Sequence, residues 1–205
     1  MTYELLLGLA GFAFVSSITP GPNNLMLMTS GANFGFARTI PHLLGVSIGF
    51  TAMVVIVGAG LGQVFAAAPV LHTALKIVSA AYLLYLAWKI AMSPPPNADG
   101  AARAKPMTFL QAAAFQWVNP KAWTMALTAI SVYAPSSADG VSLVTLGVIA
   151  AVFGAVNLPS VGVWTAIGTQ LRRFLSSPLS FRIFNGAMAG LLVASLIPVV
   201  FARGH

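Results

Sequence analysis

The sequence predicts an all-α integral membrane protein of six transmembrane helices. They are arranged as two inverted three-helix repeats in which helices 1 and 4 are broken. Three observations carry this prediction. Of the 205 residues, 58% are hydrophobic and only 6% charged, against about 25% charged in a soluble domain. The uncharged runs 5–37, 39–75, 140–171 and 183–202 each reach or exceed the ~20 residues that span a bilayer as helix. Prolines interrupt the first run at Pro20 and Pro22, and Pro120 falls inside the predicted fourth span. The runs are continuous and do not alternate with period two, which argues against a β-barrel.

The N-terminal stretch "MTYELLLGLAGFAFVSS" lacks the basic region of a signal peptide. It is expected to be the start of the first span. Turn chemistry marks the loops: "SPPPNADGAARAKP" near the middle of the chain, "APSSADG" at 134–140, and 170–182 with Arg172, Arg173 and Arg182. Shorter breaks fall at 31–39 and 60–71. The predicted spans are 4–30, 39–61, 70–92, 108–133, 141–167 and 183–202, all within one transmembrane domain covering 1–205. Repeat 1 runs about 4–92, a cytoplasmic loop covers 93–107, and repeat 2 runs about 108–202.

Basic residues orient the chain. The first, third and fifth loops hold Arg38; Lys89, Arg103 and Lys105; and Arg172, Arg173 and Arg182. The other side holds Arg203 and at most Lys76. The positive-inside rule places the odd loops in the cytoplasm and both termini outside it. The net charge of +7 therefore reads as loop asymmetry and not as a nucleic-acid surface. With no cysteine in the chain, disulfides and thiolate metal sites are excluded.

Pro20 and Pro120 lie 100 residues apart, each in the first span of a three-span half. An odd number of spans sends the second half into the membrane from the opposite side, the logic of an inverted repeat with broken helices near the midplane. A break frees N–H and C=O groups that cost several kcal/mol each, roughly, in lipid. They are tolerated where they line a polar cavity, so the breaks are expected to form a binding site.

The candidate substrate-binding residues are Pro20, Gly21, Pro22, Asn23, Asn24, Asn119, Pro120 and Lys121. Lys121 is a charge well inside a span, 13 residues from the start of span four, or about 20 Å deep at about 1.5 Å per residue. Such a charge costs at least ~2.5–3.5 kcal/mol. It is expected to face a cavity and attract a substrate carboxylate, helped by the helix N-terminus after Pro120. The asparagines can donate and accept, which suits a zwitterion and also suits pairing freed backbone groups. Asn157 and Pro159 mark a further break candidate in span five.

The acidic residues Glu4, Asp99 and Asp139 all lie at or near loops, which leaves His42 as the candidate proton-coupling group. His72 is expected at the membrane interface, as are Tyr82, Tyr85 and Trp88. Gly31/Gly35, Gly45/Gly49, Gly58/Gly62 and Gly186/Gly190 form GxxxG pairs expected to serve helix packing, with one pair a candidate homodimer surface.

The segment "TPGPNNLMLMTSGANFGFARTIPHLLGVSIGF" resembles the first signature of the lysine-exporter (LysE) superfamily, in its homoserine/threonine-resistance (RhtB) branch. "AAYLLYLAWKIAMSP" is similar to that family's third-span ending, and "NPKAW" to its fourth-span motif. "AWKIAMSP" followed by "KPMTFLQAAAFQWVNPK" looks most like the cysteine and O-acetylserine exporter branch. The resemblance covers nearly the whole chain. It implies six spans and export of amino acids or their derivatives across the bacterial inner membrane, driven by protons in antiport, with no cofactor. It also carries Pro20, Gly21, Pro22, Asn23, Asn119, Pro120 and Lys121 over as site residues. "VNLPSVGVW" in span five matches no motif of assigned role.

Against an enzyme stand the scattered histidines and the absence of paired metal ligands or a Ser/His constellation. An ATP-driven pump on this chain would need a P-loop, and none is present. A channel or non-transporting scaffold is the alternative. A scaffold has no need of two polar breaks, and a channel would show conductance instead of saturable flux.

Overall fold

The computed structural model describes residues 1–94, 105–134, 141–175 and 177–198. Most of the predicted 93–107 loop, with Asp99 and Arg103, lies outside the described residues. So do Asp139 and the chain beyond 198 with Arg203. The described elements are α1 (Tyr3–Ile18), α2 (Pro22–Phe34) and α3 (Phe36–Ile56), then a π turn (Val57–Leu61), α4 (Gly62–Ala67) and α5 (Pro69–Ala91). After these come α6 (Phe109–Phe115), a 3-10 turn (Gln116–Val118), α7 (Pro120–Tyr133), α8 (Leu143–Leu171) and α9 (Pro178–Ala194).

Three helical stretches are long and apolar enough to cross a bilayer unaided: Phe36–Phe65, Val70–Ala91 and Leu143–Leu171. The pair α1 and α2, bent by 53°, makes a fourth if taken as one span. The α6–α7 pair and the 17-residue α9 occupy the places of the other two predicted spans. The core is apolar, but so is much of the surface. Leu143 is 85% exposed and Val144 78%, while Gln116 and Asn185 are fully buried. Large apolar side chains facing outward over many helices are what a lipid solvent permits and water does not. This is an all-α membrane protein.

Both predicted breaks are present. Pro20 and Pro22 lack the N–H that would continue α1. Thr19 therefore turns extended (φ −66°, ψ 144°), and Pro22 opens α2 at its first position, where a missing N–H costs nothing. In the same way Asn119 leaves helical geometry (φ −93°, ψ 108°) and Pro120 opens α7. The break candidate at Asn157 and Pro159 is not a break: α8 runs through Pro159. Ser160 Oγ donates to Val156 O at 2.7 Å beside that proline, and the helix is held along its length by α1, α2 and α3.

The first loop shrinks to one residue. Gly35, at φ +84°, ends α2 and starts α3, a left-handed conformation open to glycine. Arg38 consequently sits in the first turn of α3, 5.5 Å above the Phe34 ring. The last helix begins at Pro178, five residues earlier than predicted, because Ser177 and Ser180 form a reciprocal capping box.

The packing has a consistent pattern. The broken α1–α2 unit runs along α8, the broken α6–α7 unit runs along α3, and α5 packs on α9. Glycines set the closest approaches: Gly31 and Gly168 interlock α2 with α8, and Gly45 and Gly49 seat α6 on α3. A Cβ at Gly49 would lie 2.6 Å from Ala113 Cα. Gly186 and Gly190 meet nothing within 4 Å among the described residues.

Candidate functional site

The two breaks meet. Lys121, in the first turn of α7, extends to the end of α1, where Nζ donates to Thr19 O at 2.7 Å, Thr19 Oγ1 at 3.0 Å and Pro20 O at 3.4 Å. An ammonium at a helix C-terminus satisfies carbonyls that have no intrahelical partner and meets the negative end of the dipole. Gly21 is needed for this approach. Its backbone is extended (φ −175°), which any residue adopts, but a Cβ there would lie 2.7 Å from Lys121 Cδ.

The asparagines close the remaining backbone accounts. Asn24 Nδ2 donates to Ser17 O at 2.9 Å and Thr19 O at 2.7 Å. Asn119 Oδ1 caps α7 by accepting from Lys121 N at 3.1 Å. Asn23 and Gln116 exchange two hydrogen bonds, at 2.8 and 3.2 Å, joining one break to the other. Ser17 Oγ accepts from Asn157 Nδ2 at 3.1 Å, and Ile18 O accepts from Trp164 Nε1 at 3.0 Å.

A cavity of about 510 Å³ opens beside the breaks. Pro20, Gly21, Pro22, Pro120 and Lys121 form one wall; Phe65, His72, Leu75, Lys76, Leu83, Trp123, Thr124, Leu127, Ser195 and Pro198 form the others. Phe65 stacks on Trp123 with centroids 4.2 Å apart, and His72 packs against Phe65 at 4.3 Å. The volume lies in the range of small-molecule sites. The described lining holds two lysines and a histidine and no carboxylate.

Five of the eight predicted binding residues line this cavity. Asn23, Asn24 and Asn119 do not. They line an adjoining void of about 20 Å³ with Ser17 and Asn157, because Asn24 and Asn119 are held by backbone groups near the breaks and Asn23 by the Gln116 side chain. His72, exposed at the start of α5, lines the cavity with its ring packed against Phe65. His42 sits apart, on α3. It is buried, with no hydrogen-bond partner at either ring nitrogen among the described residues. It lines a void of about 70 Å³ that also includes Ser30, Asn33, Lys89 and Lys105. No group of three or more metal-ligating side chains occurs among the described residues.

Sequence reasoning missed Thr19, Gln116, Lys76 and Trp123 as parts of the site. Gln116 carried a usable signal, a buried-type amide three residues before the Asn119 break.

Broken helices whose free ends converge on a cavity in a lipid-facing helical bundle define a protein built to move a solute through a membrane. Residues 14–201 match the family model described as LysE type translocator, and the chain belongs to that family. It is 30% identical over 202 residues to a cysteine/O-acetylserine efflux protein of Klebsiella pneumoniae, covering 98% of this chain and 99% of that protein. The proteins of the same description in Escherichia coli K12 and Salmonella choleraesuis are 35% and 38% identical. Those matches cover 75% and 65% of this chain, and 78% and 67% of the relatives. No solved structure matches the chain.

Proposed function

We propose that this protein exports a small neutral amino acid or derivative, of the cysteine and O-acetylserine kind, across the bacterial inner membrane by antiport with protons. The carrying observation is Lys121, a cation at the meeting of two helix breaks in a cavity whose described lining has no carboxylate. A substrate carboxylate has the Lys121 ammonium and the N-terminus of α7 to receive it. The second cation of lysine would have no carboxylate partner. The efflux activity of the relatives supports the same reading.

The two halves, about 4–92 and 108–202, are read as inverted repeats. The exchange of packing partners between the halves, with α5 against α9, is the pattern such a pair produces. The cavity touches Phe65, the start of α5 and the residues after α9, ends that the charge asymmetry assigns to the extracytoplasmic side. In this reading the structure is the outward-facing form, with both termini outside, and His42 lies on the cytoplasmic side as a proton-coupling group.

The test is efflux of preloaded cysteine, O-acetylserine, threonine, homoserine and lysine from cells making the native protein, Lys121→Met, or neither, with and without a protonophore. Gradient-dependent efflux of the neutral members, lost in Lys121→Met at normal membrane levels, is the expected result. Lysine efflux as strong as that of the neutral amino acids would refute the neutral-substrate reading. Efflux unchanged in Lys121→Met would remove Lys121 from the site.

A further inference from the structure

The geometry points to the carbonyl cluster at the end of α1, formed by Thr19 O, Thr19 Oγ1 and Pro20 O, as the substrate's ammonium subsite, which Lys121 occupies with its own side chain when the transporter is empty. This deepens the amino-acid reading above and rests on it.

The cluster is already an ammonium site. Lys121 Nζ makes three contacts there, at 2.7, 3.0 and 3.4 Å, which matches the three donors of an ammonium group. The acceptors stand at the C-terminal end of α1, where a helix favours positive charge. They border the cavity through Pro20, so a ligand in that cavity can reach them. An α-ammonium entering the cavity has no better place to go, because the described lining offers it no carboxylate.

Two ammonium groups cannot share the cluster. When the substrate's takes it, Lys121 must leave. The substrate then carries the partner that Lys121 lacks, a carboxylate one carbon from its ammonium. The exchange keeps every charge paired: substrate ammonium on the α1 carbonyls, Lys121 on substrate carboxylate. A ligand with only the ammonium displaces Lys121 without offering it a partner. A ligand with only the carboxylate draws Lys121 away and leaves the α1 carbonyls open. The subsite thus selects molecules that bear both groups close together. It also explains why Gly21 stands beside Lys121 Cδ, where a Cβ would lie 2.7 Å away: the lysine needs room to swing.

The test uses full-length protein in lipid nanodiscs, with intrinsic tryptophan fluorescence, to which Trp123 in the cavity wall contributes, as the binding signal. The probes are L-cysteine, cysteamine (ammonium without carboxylate) and 3-mercaptopropionate (carboxylate without ammonium). The native protein is expected to saturate with L-cysteine and to respond weakly to the other two. In Lys121→Met the cluster loses its ammonium and keeps only the Asn24 amide on Thr19 O, so cysteamine should now saturate at a concentration about tenfold or more below its native value. That is the change expected for one set of charge-assisted hydrogen bonds gained without a competitor. Adding Thr19→Val should reverse part of that gain.

Lys76→Met removes a cavity cation without vacating the cluster and should give no comparable gain. An equal gain in Lys76→Met would reduce the effect to general electrostatics and overturn the assignment. No gain in Lys121→Met would overturn it as well. If Lys121→Met does not yield monodisperse protein, Lys121→Gln carries the same test. A native protein indifferent to L-cysteine, with the cysteamine gain in Lys121→Met intact, sinks the cysteine-type substrate and upholds the ammonium subsite.

Discussion

Two glycines on α8 should respond in opposite directions to the same added methyl group. Gly168 faces α2. A Cβ there would lie 2.7 Å from Met28 C and 3.0 Å from Met28 Cα, and nearer still to Met28 O. Ordinary contact begins at 3.4 Å, so the carbon pair alone is short by roughly 0.7 Å, and the obstacle is backbone, not a side chain that can swing. Gly147 lies on the same helix, exposed, with nothing within 4 Å of its would-be Cβ.

Overpacking a close helix contact costs about 1–3 kcal/mol, and alanine gains up to about 1 kcal/mol over glycine in a helix interior. Gly168→Ala should therefore be destabilised by about 1–3 kcal/mol less whatever propensity returns. Gly147→Ala should be neutral or stabilised by up to about 1 kcal/mol. Thermal unfolding of the purified proteins in one detergent, followed by size-exclusion recovery after heating, gives the order directly. A Gly168→Ala protein as stable as Gly147→Ala would refute the claim that backbone contact sets the α2–α8 distance.

The Asn23–Gln116 pair should show coupling in a double-mutant cycle to alanine. Cycles on hydrogen bonds between membrane helices average about 0.6 kcal/mol and reach about 1.7, and a two-bond exchange belongs toward the upper end. Unfolding of the two single variants and the double variant that adds without coupling would show that the breaks are not joined through these amides. His42→Gln should retain substrate exchange between equal pools in proteoliposomes yet lose the acceleration that a pH gradient gives. Undiminished acceleration in that variant would remove His42 from proton coupling.

What the sequence made legible follows from how local each cause is. The breaks at Thr19 and Asn119 fall one residue before the prolines that announced them, Pro20 and Pro120, because a missing proline N–H acts on its own turn, whatever surrounds it. Lys121 stood out because a charge deep in a span must have a reason. The partners of these residues were not legible in the same way. Nothing near Asn23 announces Gln116, 93 residues away, and nothing near Ser17 announces Asn157, 140 residues away. Pro159 shows the converse. Its local chemistry resembles that of Pro20, but it stands singly in a helix braced by α1, α2 and α3, and tertiary packing keeps that helix whole. The packing of the His72 ring on Phe65 was not legible, because residues around a span end look alike whichever way the ring turns. The direction is set upstream by the π turn at Val57–Leu61, where Gly60 at φ +130° redirects the chain and α4 carries Phe65 over the cavity to meet the ring. A site built where two distant breaks meet is therefore half legible. Proline and lysine chemistry declares the backbone ends and the charge. The side chains that decide which ends stay open to a ligand are set by the packing of one half against the other.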